Sequence, residues 1–194
     1  MTTYDERTAL LAVDVQNDFA DPKGSLYVRA GEHIIAVINQ EILKAKAAGA
    51  FIVYTQDWHP PSTPHFRKDG GIWPVHCVGA TWGAAFHPSL LVEGPVVRKG
   101  DSGGDGYSGF SVRDHESGET IATSLDEMLR EHRIERLVIC GLATDYCVVE
   151  TVLDARMLGF PVEVLAAGIR PVERMAGDGA KAVARMRDAG AELI

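Results

Sequence analysis

A carboxylate and three imidazoles lie close together in the middle of the sequence. Asp57, His59 and His65 fall in the proline-broken stretch TQDWHPPSTPHF, residues 55–66, and His76 follows a short way downstream. Such a donor set suits zinc, iron or manganese. The stretch is either a metal site or a polar loop that happens to be rich in histidine, and other parts of the sequence have to decide between the two.

Three further residues have side chains that together could perform nucleophilic catalysis: Asp14, Lys99 and Cys147. Taken singly, each has an ordinary explanation, as a loop carboxylate, a solvated lysine and a structural thiol. A thiol in the first turn of a helix and beside a lysine, however, is predicted to have a lowered pKa. A buried carboxylate within reach can take the thiol proton and return it to a leaving group. The three residues are therefore a candidate nucleophilic triad.

These candidates lie in a chain that alternates short apolar runs with amphipathic helical patterns. Six runs predict β-strands, the last of them short: residues 10–15, 51–56, 95–99, 136–141, 161–166 and 191–194. Four stretches between the strands have helical spacing: residues 34–45, 125–132, 145–159 and 180–184. Thr123 or Ser124 is the expected N-cap of the second helix. The alternation predicts an α/β fold, with a parallel sheet and helices on both of its faces.

The candidate residues follow the ends of four predicted strands. Asp14 lies near the end of the first strand, Asp57 follows the second, and Lys99 closes the third. Cys147 lies a few residues beyond the fourth strand. In open α/β sheets, ligands bind outside the carboxyl ends of the strands. Fold geometry is therefore expected to bring these residues to one edge of the sheet.

Composition and charge restrict the possible partners. The chain has 194 residues, 46% of them hydrophobic, and a formal net charge of −8, which argues against nucleic acid or an anionic membrane as the main partner. No apolar run approaches the ~20 residues of a membrane helix, and the N-terminus lacks a signal-peptide pattern. Three cysteines are too few for a disulfide scaffold. A cytoplasmic protein with one domain, residues 1–194, is expected.

Five short motifs resemble the isochorismatase-like hydrolase superfamily, and more narrowly its nicotinamidase branch. In chain order the motifs are VDVQNDF (13–19), DWHPPSTPHF (57–66), WPVHC (73–77), VRKG (97–100) and GLATDYCV (141–148). The resemblance covers almost the whole chain. It implies a three-layer α-β-α fold with a mainly parallel six-stranded sheet, and hydrolysis of nicotinamide to nicotinate and ammonia in NAD salvage. It also implies pyrazinamide as a second substrate and a homodimer or larger assembly.

The resemblance assigns a role to each member of the triad. Cys147 attacks the carboxamide carbon, Asp14 shuttles the proton, and Lys99 stabilises the thiolate and Asp14. Ammonia leaves, and water activated by Asp14 then hydrolyses the thioester. The Leu142–Ala143 peptide matches a position that is cis in the family. The backbone N–H groups of Ala143 and Cys147 would then form the oxyanion hole.

The resemblance also implies four ligands for one divalent metal ion, zinc, iron or manganese: Asp57, His59, His65 and His76. In the family, the pyridine nitrogen of the substrate coordinates the metal, which would hold the carboxamide against Cys147. Three aromatic residues are candidate walls for the substrate ring: Phe19, Trp73 and Tyr107. The other histidines are expected at the surface or in packing: His33, His87, His115 and His132.

Other functions fit parts of the sequence. GDGYSG (104–109) matches the dinucleotide fingerprint of an oxidoreductase, but the fingerprint needs a helix directly after it. FSVRDHESGET follows instead and lacks helical spacing, so 104–109 is expected to be a flexible loop near the pocket. The closer alternative is an isochorismate or N-carbamoyl amide hydrolase, whose branches lack the Asp-x-His…His…His set. Retention of the triad argues against a third possibility, a catalytically silent interaction domain.

Overall fold

The computed structural model describes residues 3–100, 104–114 and 117–194, so the prediction for His115 lies outside the described residues. The strands are β1 (Thr8–Val13), β2 (Phe51–Asp57), β3 (Val96–Lys99), β4 (Ser111–Arg113), β5 (Thr120–Ala122), β6 (Arg136–Leu142), β7 (Val162–Arg170) and β8 (Glu192–Leu193). The α-helices are α1 (Asn17–Ala20), α2 (Ile34–Ala47), α3 (Leu125–Glu131), α4 (Val149–Met157) and α5 (Asp178–Asp188). None of the helices formed by these residues is long and apolar enough to cross a membrane.

Six of the strands form one parallel sheet in the order β3-β2-β1-β6-β7-β8, which confirms the predicted α/β fold. β1 lies in the middle, and all six of its residues are buried, because helices cover both faces of a parallel sheet. β8 has only two residues, so the predicted last strand is shorter than 191–194. This short strand lies at the side of the sheet opposite β3, away from the ends of β1, β2 and β3.

Two apolar cores lie on opposite faces of the sheet. Successive strand residues point to opposite faces, so Leu10 packs in one core and Leu11 in the other. Helix α2 covers the first face, with Ile34, Ile38 and Ile42 fully buried at the predicted helical spacing. Helices α3, α4 and α5 cover the second face. This is the three-layer arrangement that the alternation of strands and helices predicts.

The structure differs from the predicted elements in two places. Residues 111–113 and 120–122 pair as an antiparallel β-hairpin, where the sequence predicts only loop. The helix predicted from residue 145 begins as a π-helical turn, Thr144–Val148, and continues as α4. Ser124 occupies the N-cap of α3 without a side-chain capping bond, and Thr123 Oγ1 instead accepts the Leu125 N–H at 3.2 Å.

Candidate active site

The carboxyl ends of four neighbouring strands hold the predicted catalytic residues. Asp14 directly follows β1, and Asp57 and Lys99 are the last residues of β2 and β3 and are partners in the strand register. Cys147 lies in the π-helical turn that follows β6. Asp14 has a left-handed backbone, with φ of 49°, which turns the chain sharply as it leaves β1. The structure thus brings together residues that are far apart in the sequence.

The side chain of Lys99 connects the members of the triad. Its Nζ lies 2.6 Å from Asp14 Oδ2 and donates a hydrogen bond to Cys147 Sγ at 3.3 Å. It also donates to the backbone oxygen of Tyr107 at 3.1 Å. The Thr55 hydroxyl donates to Asp14 Oδ1 at 2.7 Å, so both carboxylate oxygens of Asp14 have a partner. The triad is buried and its geometry is defined on every side by neighbouring groups.

Burial sets the protonation chemistry of the triad. It raises the pKa of Asp14, although the Lys99 ammonium opposes this shift. The predicted lowering of the Cys147 pKa is wrong: burial raises it well above its usual value, against the effect of Lys99, and the Asp14 and Asp57 carboxylates add to the rise. Burial opposes the charged form of Lys99, but the Asp14, Cys147 and Asp57 side chains outweigh it and raise its pKa. The resting thiol therefore needs a base to accept its proton, and Asp14 is beside it.

Three buried histidines form a second cluster beside Asp57, whose other carboxylate oxygen lies near Lys99. One ring nitrogen from each of His59, His65 and His76 lies within 4.8 Å of the others. Asp57 Oδ2 lies 3.1 Å from His59 Nε2 and 3.5 Å from His76 Nε2. Burial alone would raise the pKa of Asp57, but Lys99 and His59 hold it well below its usual range. An ionised carboxylate with three buried imidazoles fits a divalent metal ion.

The outer ring nitrogens of two of these histidines are occupied. His65 Nδ1 lies 2.6 Å from Asp105 Oδ2, and His76 Nδ1 lies 2.8 Å from the carbonyl oxygen of Pro74. Such partners fix the ring orientation and leave the Nε2 nitrogen of each histidine for a metal. His65 and His76 therefore have the outer hydrogen bonds typical of metal-ligating histidines, and the cluster also supplies the donor atoms.

One small pocket connects the thiol to the histidine cluster. Cys147 and Ala143 line the pocket together with Asp57, His65 and His76. The remaining lining residues are mostly apolar: Phe19, Leu26, Trp73, Tyr107, Tyr146 and Val172. A larger depression of about 480 Å³ lies against β3 and contains none of the predicted site residues. The pocket is thus the place where a small ring could contact both clusters.

All three predicted aromatic walls line this pocket. Phe19 packs against His76, with ring centroids 5.5 Å apart. The Trp73 indole N–H donates to the Tyr107 hydroxyl at 2.9 Å, which holds these two rings together. The Leu142–Ala143 peptide is cis, as the resemblance implies, and Ala143 lies beside the thiol.

The structure also contains site residues that were not predicted. Tyr146 packs edge-on against Trp73, with ring centroids 4.8 Å apart. Its position directly before Cys147, in the motif GLATDYCV, is the sequence feature from which its place in the site could have been predicted. Gln16 accepts the Asp57 N–H at 2.8 Å and donates to the Asp57 carbonyl at 2.7 Å. Asp105 contacts a histidine 40 positions away. For the last two, only the fold reveals the partner.

The histidines that were expected outside the site do lie outside it, where the structure describes them. The His33 side chain is 70% exposed, and His132 stacks on Phe51 with centroids 4.0 Å apart. His87 lies near Asp21, with 3.8 Å between His87 Nε2 and Asp21 Oδ2. His33, His87 and His132 are therefore not part of the cluster that His59, His65 and His76 form.

The chain was compared with known families, proteins and structures. Residues 8–194 match the isochorismatase domain family. A nicotinamidase of Escherichia coli is 39% identical, over 95% of this chain and 93% of that protein. The crystal structure of a pyrazinamidase of Pyrococcus horikoshii in complex with zinc has a TM-score of 0.86 and 38% identity, and covers 97% of this chain and 98% of that one.

A further solved structure resembles this one over the whole chain. PnC1 of L. infantum in complex with nicotinate has a TM-score of 0.89 and 34% identity, and covers 100% of this chain and 95% of that one. Agreement in sequence, coverage and backbone extends from β1 to β8. The chain belongs to the isochorismatase family.

Proposed function

We propose that this protein is a metal-dependent nicotinamidase, an enzyme that hydrolyses nicotinamide to nicotinate and ammonia. The observation that carries the proposal is the pocket itself, whose lining includes Cys147, two of the three clustered histidines with Asp57, and the aromatic rings of Phe19, Trp73 and Tyr107. The relatives named for this activity match nearly the full chain. Nicotinamide has the corresponding parts, namely a carboxamide, a ring nitrogen and a flat apolar ring between the two.

The triad supports a thioester mechanism in which Asp14 moves the protons. Asp14 accepts the Cys147 thiol proton while the sulfur attacks the carboxamide carbon. The resulting oxyanion would be stabilised by the Ala143 and Cys147 N–H groups. Asp14 returns the proton to the nitrogen, the C–N bond breaks, and ammonia leaves. Asp14 then takes a proton from water, whose oxygen attacks the thioester carbon. The C–S bond breaks, nicotinic acid leaves and ionises to nicotinate, and Asp14 returns its proton to the Cys147 sulfur. Lys99 holds the carboxylate and the sulfur together through both halves.

The metal centre is assigned to four side chains: Asp57, His59, His65 and His76. A bound divalent ion, zinc, iron or manganese, would supply a Lewis-acid site for the ring nitrogen of the substrate. The zinc complex of the Pyrococcus horikoshii relative supports zinc as the first ion to test. The chain's own residues then orient the ring: Phe19, Trp73 and Tyr107 form its walls, and the carboxamide is left facing the thiol.

Pyrazinamide is proposed as a second substrate, because its ring has the same size and also carries a nitrogen that could face the metal. The relative of known structure is named a pyrazinamidase, which supports this choice. Nicotinate formed from nicotinamide can be used again for pyridine nucleotide synthesis, so a place in NAD salvage follows from the reaction. We further propose that residues 1–194 form one domain of a cytoplasmic homo-oligomer. Three unpaired thiols fit a reducing compartment.

Two alternative functions are less well supported. Isochorismate and N-carbamoyl amide hydrolases share the fold, but the buried cluster of three histidines beside Asp57 favours the metal-dependent branch. A dinucleotide-binding oxidoreductase needs a helix after the glycines of 104–109. In the described part of that region, strand β4 follows the glycines instead.

The decisive experiment is ammonia release from nicotinamide by the purified protein, with metal content measured on the same sample. We expect turnover with about one metal ion per chain, because the described residues contain one cluster of three histidines that could hold a metal. Cys147→Ala should abolish turnover while metal content and the circular dichroism spectrum stay unchanged. Activity retained in Cys147→Ala would remove this residue from the mechanism. Bound metal without ammonia release would mean that the substrate is another amide.

A further inference from the structure

We propose that Asp105 is a positioning residue of the metal centre, and that its carboxylate orients His65 for metal binding. This inference rests on the metal site proposed above. Asp105 Oδ2 lies 2.6 Å from His65 Nδ1, a short contact between a side chain that is 28% exposed and one that is 6% exposed. Asp105 does not line the substrate pocket, so its effect must be transmitted through the histidine.

The contact determines which nitrogen of His65 can bind a metal. A neutral imidazole has one nitrogen that donates and one that accepts, whereas an ionised carboxylate can only accept. Asp105 therefore selects the form of His65 with the proton on Nδ1 and the lone pair on Nε2. A carboxylate on the outer nitrogen also makes the imidazole a more basic ligand. Asp105 would thus improve both the direction and the strength of the bond.

Within the described residues, His65 differs from the other two histidines in having a charged group on its outer nitrogen. His76 Nδ1 has a neutral carbonyl oxygen at 2.8 Å. The Nδ1 atom of His59 is buried and has no hydrogen-bond partner among the described residues. Asp57 and Asp105 together would place two negative charges around a divalent ion. The effect of removing Asp105 should therefore be larger than the loss of one ordinary hydrogen bond.

The fold holds Asp105 firmly in place. Its backbone N–H and carbonyl both pair with Arg113 in strand β4. Two residues further on, the carbonyl of Tyr107 accepts a hydrogen bond from Lys99. Gly106 lies between them, where a Cβ atom would crowd the Ser111 carbonyl oxygen at 2.7 Å. Gly104 and Gly106 therefore allow close packing against the hairpin, and residues 104–109, a loop as predicted, support His65 through Asp105.

The test is the zinc affinity of the purified protein, measured by competition with a chromophoric chelator. We expect Asp105→Ala to weaken zinc binding by about 10–100-fold, the usual effect of removing an outer carboxylate. Asp105→Asn keeps an oxygen that can accept the Nδ1 proton, so its loss should be smaller. Asp126→Asn is the matched control, since it removes one surface carboxylate that pairs with Arg130. Zinc affinity in Asp105→Ala equal to that of wild type would overturn the inference.

A double-mutant cycle separates positioning from a general disturbance of the fold. In a His65→Ala background, Asp105→Ala should cause no further loss of zinc affinity, because the group through which it acts is gone. An undiminished loss in that background would refute the proposed route. If Asp105→Ala does not fold, the Asp105→Asn cycle gives the answer. Wild-type protein that binds none of zinc, iron(II) and manganese(II) would reject the metal site as well, whereas zinc-binding wild type with an unaffected Asp105 variant rejects only this inference.

Discussion

At the scale of single residues, Lys99 is the side chain that connects the Cys147 thiol to Asp57, which lies beside the histidine cluster. Its Nζ contacts Asp14 and Cys147 and also lies 3.6 Å from Asp57 Oδ1, and none of its side chain is exposed. Two buried carboxylates therefore depend on one cation. Removing one partner of a buried ion pair leaves an uncompensated charge, which costs more than the pair contributes.

We predict that Lys99→Met lowers both activity and stability. The kcat for nicotinamide should fall by about 10²–10⁴, since proton transfer between Cys147 and Asp14 loses its positioning group. The free energy of unfolding in urea should fall by about 3–5 kcal/mol, as buried carboxylates lose their counter-charge. Lys181→Met is the matched control, because that side chain is 66% exposed and should change neither quantity. Equal stability in the two variants would contradict the proposed role of Lys99.

The candidate catalytic residues could be predicted because they follow the ends of predicted strands and their motifs resemble those of a family. The residues that support them could not. Gln16 is an ordinary polar residue until the fold brings its amide against the Asp57 backbone at 2.7 and 2.8 Å. Thr55 is likewise a strand residue whose hydroxyl happens to face Asp14. A supporting role depends on the partner, and the partner is supplied by the fold.

At the scale of the elements, the contact between β1 and β6 sets the position of the Asp14 carboxylate. Gly141 is the register partner of Val13, the residue before Asp14, and has a positive φ of 119°. A Cβ atom at this position would overlap the Val13 carbonyl oxygen. Only glycine permits both the backbone conformation and the close approach. The end of β1, and with it Asp14, is therefore held against a glycine.

We predict that Gly141→Ala damages activity as well as stability. The new methyl group must displace the end of β1, so the free energy of unfolding should fall by about 1–3 kcal/mol more than strain alone would cause. Gly159→Ala is the matched control, because Gly159 also has a positive φ, of 91°, but nothing lies within 4 Å of an added Cβ. Only Gly141→Ala should lower kcat for nicotinamide, measured per folded molecule. The same kcat in both variants would show that Asp14 does not depend on this contact.

The long strands and helices could be predicted, and the short hairpin could not. β1, β2, β6 and β7 are apolar runs, and α2 repeats isoleucines at helical spacing, so the hydrophobic pattern reveals them. β4 and β5 have three residues each, too few to display an alternating pattern. The hairpin is formed by local pairs, such as Ser111 with Ala122, and Arg113 of β4 also pairs with Asp105. The hairpin that the sequence did not predict is thus the element that holds Asp105, which contacts the proposed metal ligand His65.

At the scale of the whole molecule, the strand order explains why distant residues share one pocket. The sequence predicts six strands but contains no pattern that orders them as β3-β2-β1-β6-β7-β8. That order puts the ends of β3, β2, β1 and β6 side by side, so Lys99, Asp57 and Asp14 meet the turn that carries Cys147. The 38 residues that separate β2 from β3, 58–95, then have room to return three histidines to the same edge.

The proposed ligands of the metal ion come from β2 and the loop that follows it. Metal binding should therefore stabilise the whole fold. A metal ion that binds the native state adds about 2.7 kcal/mol at a concentration 100-fold above its Kd. For a chain of this size, that corresponds to a rise in Tm of about 5–10 °C. We predict this rise when zinc is added to chelator-treated protein and unfolding is followed by circular dichroism.

His59→Ala provides the test of that prediction. At zinc concentrations that saturate the wild type, the variant should bind zinc too weakly to raise its Tm, and it should lose nicotinamide binding, because the donor atoms no longer surround one point. His33→Ala removes a histidine whose side chain is 70% exposed and should respond to zinc like the wild type. If zinc raised the Tm of His59→Ala as much as that of the wild type, the ion would be stabilising the fold from another site. Loss of the rise in His59→Ala alone would tie stability, metal and substrate binding to the same cluster.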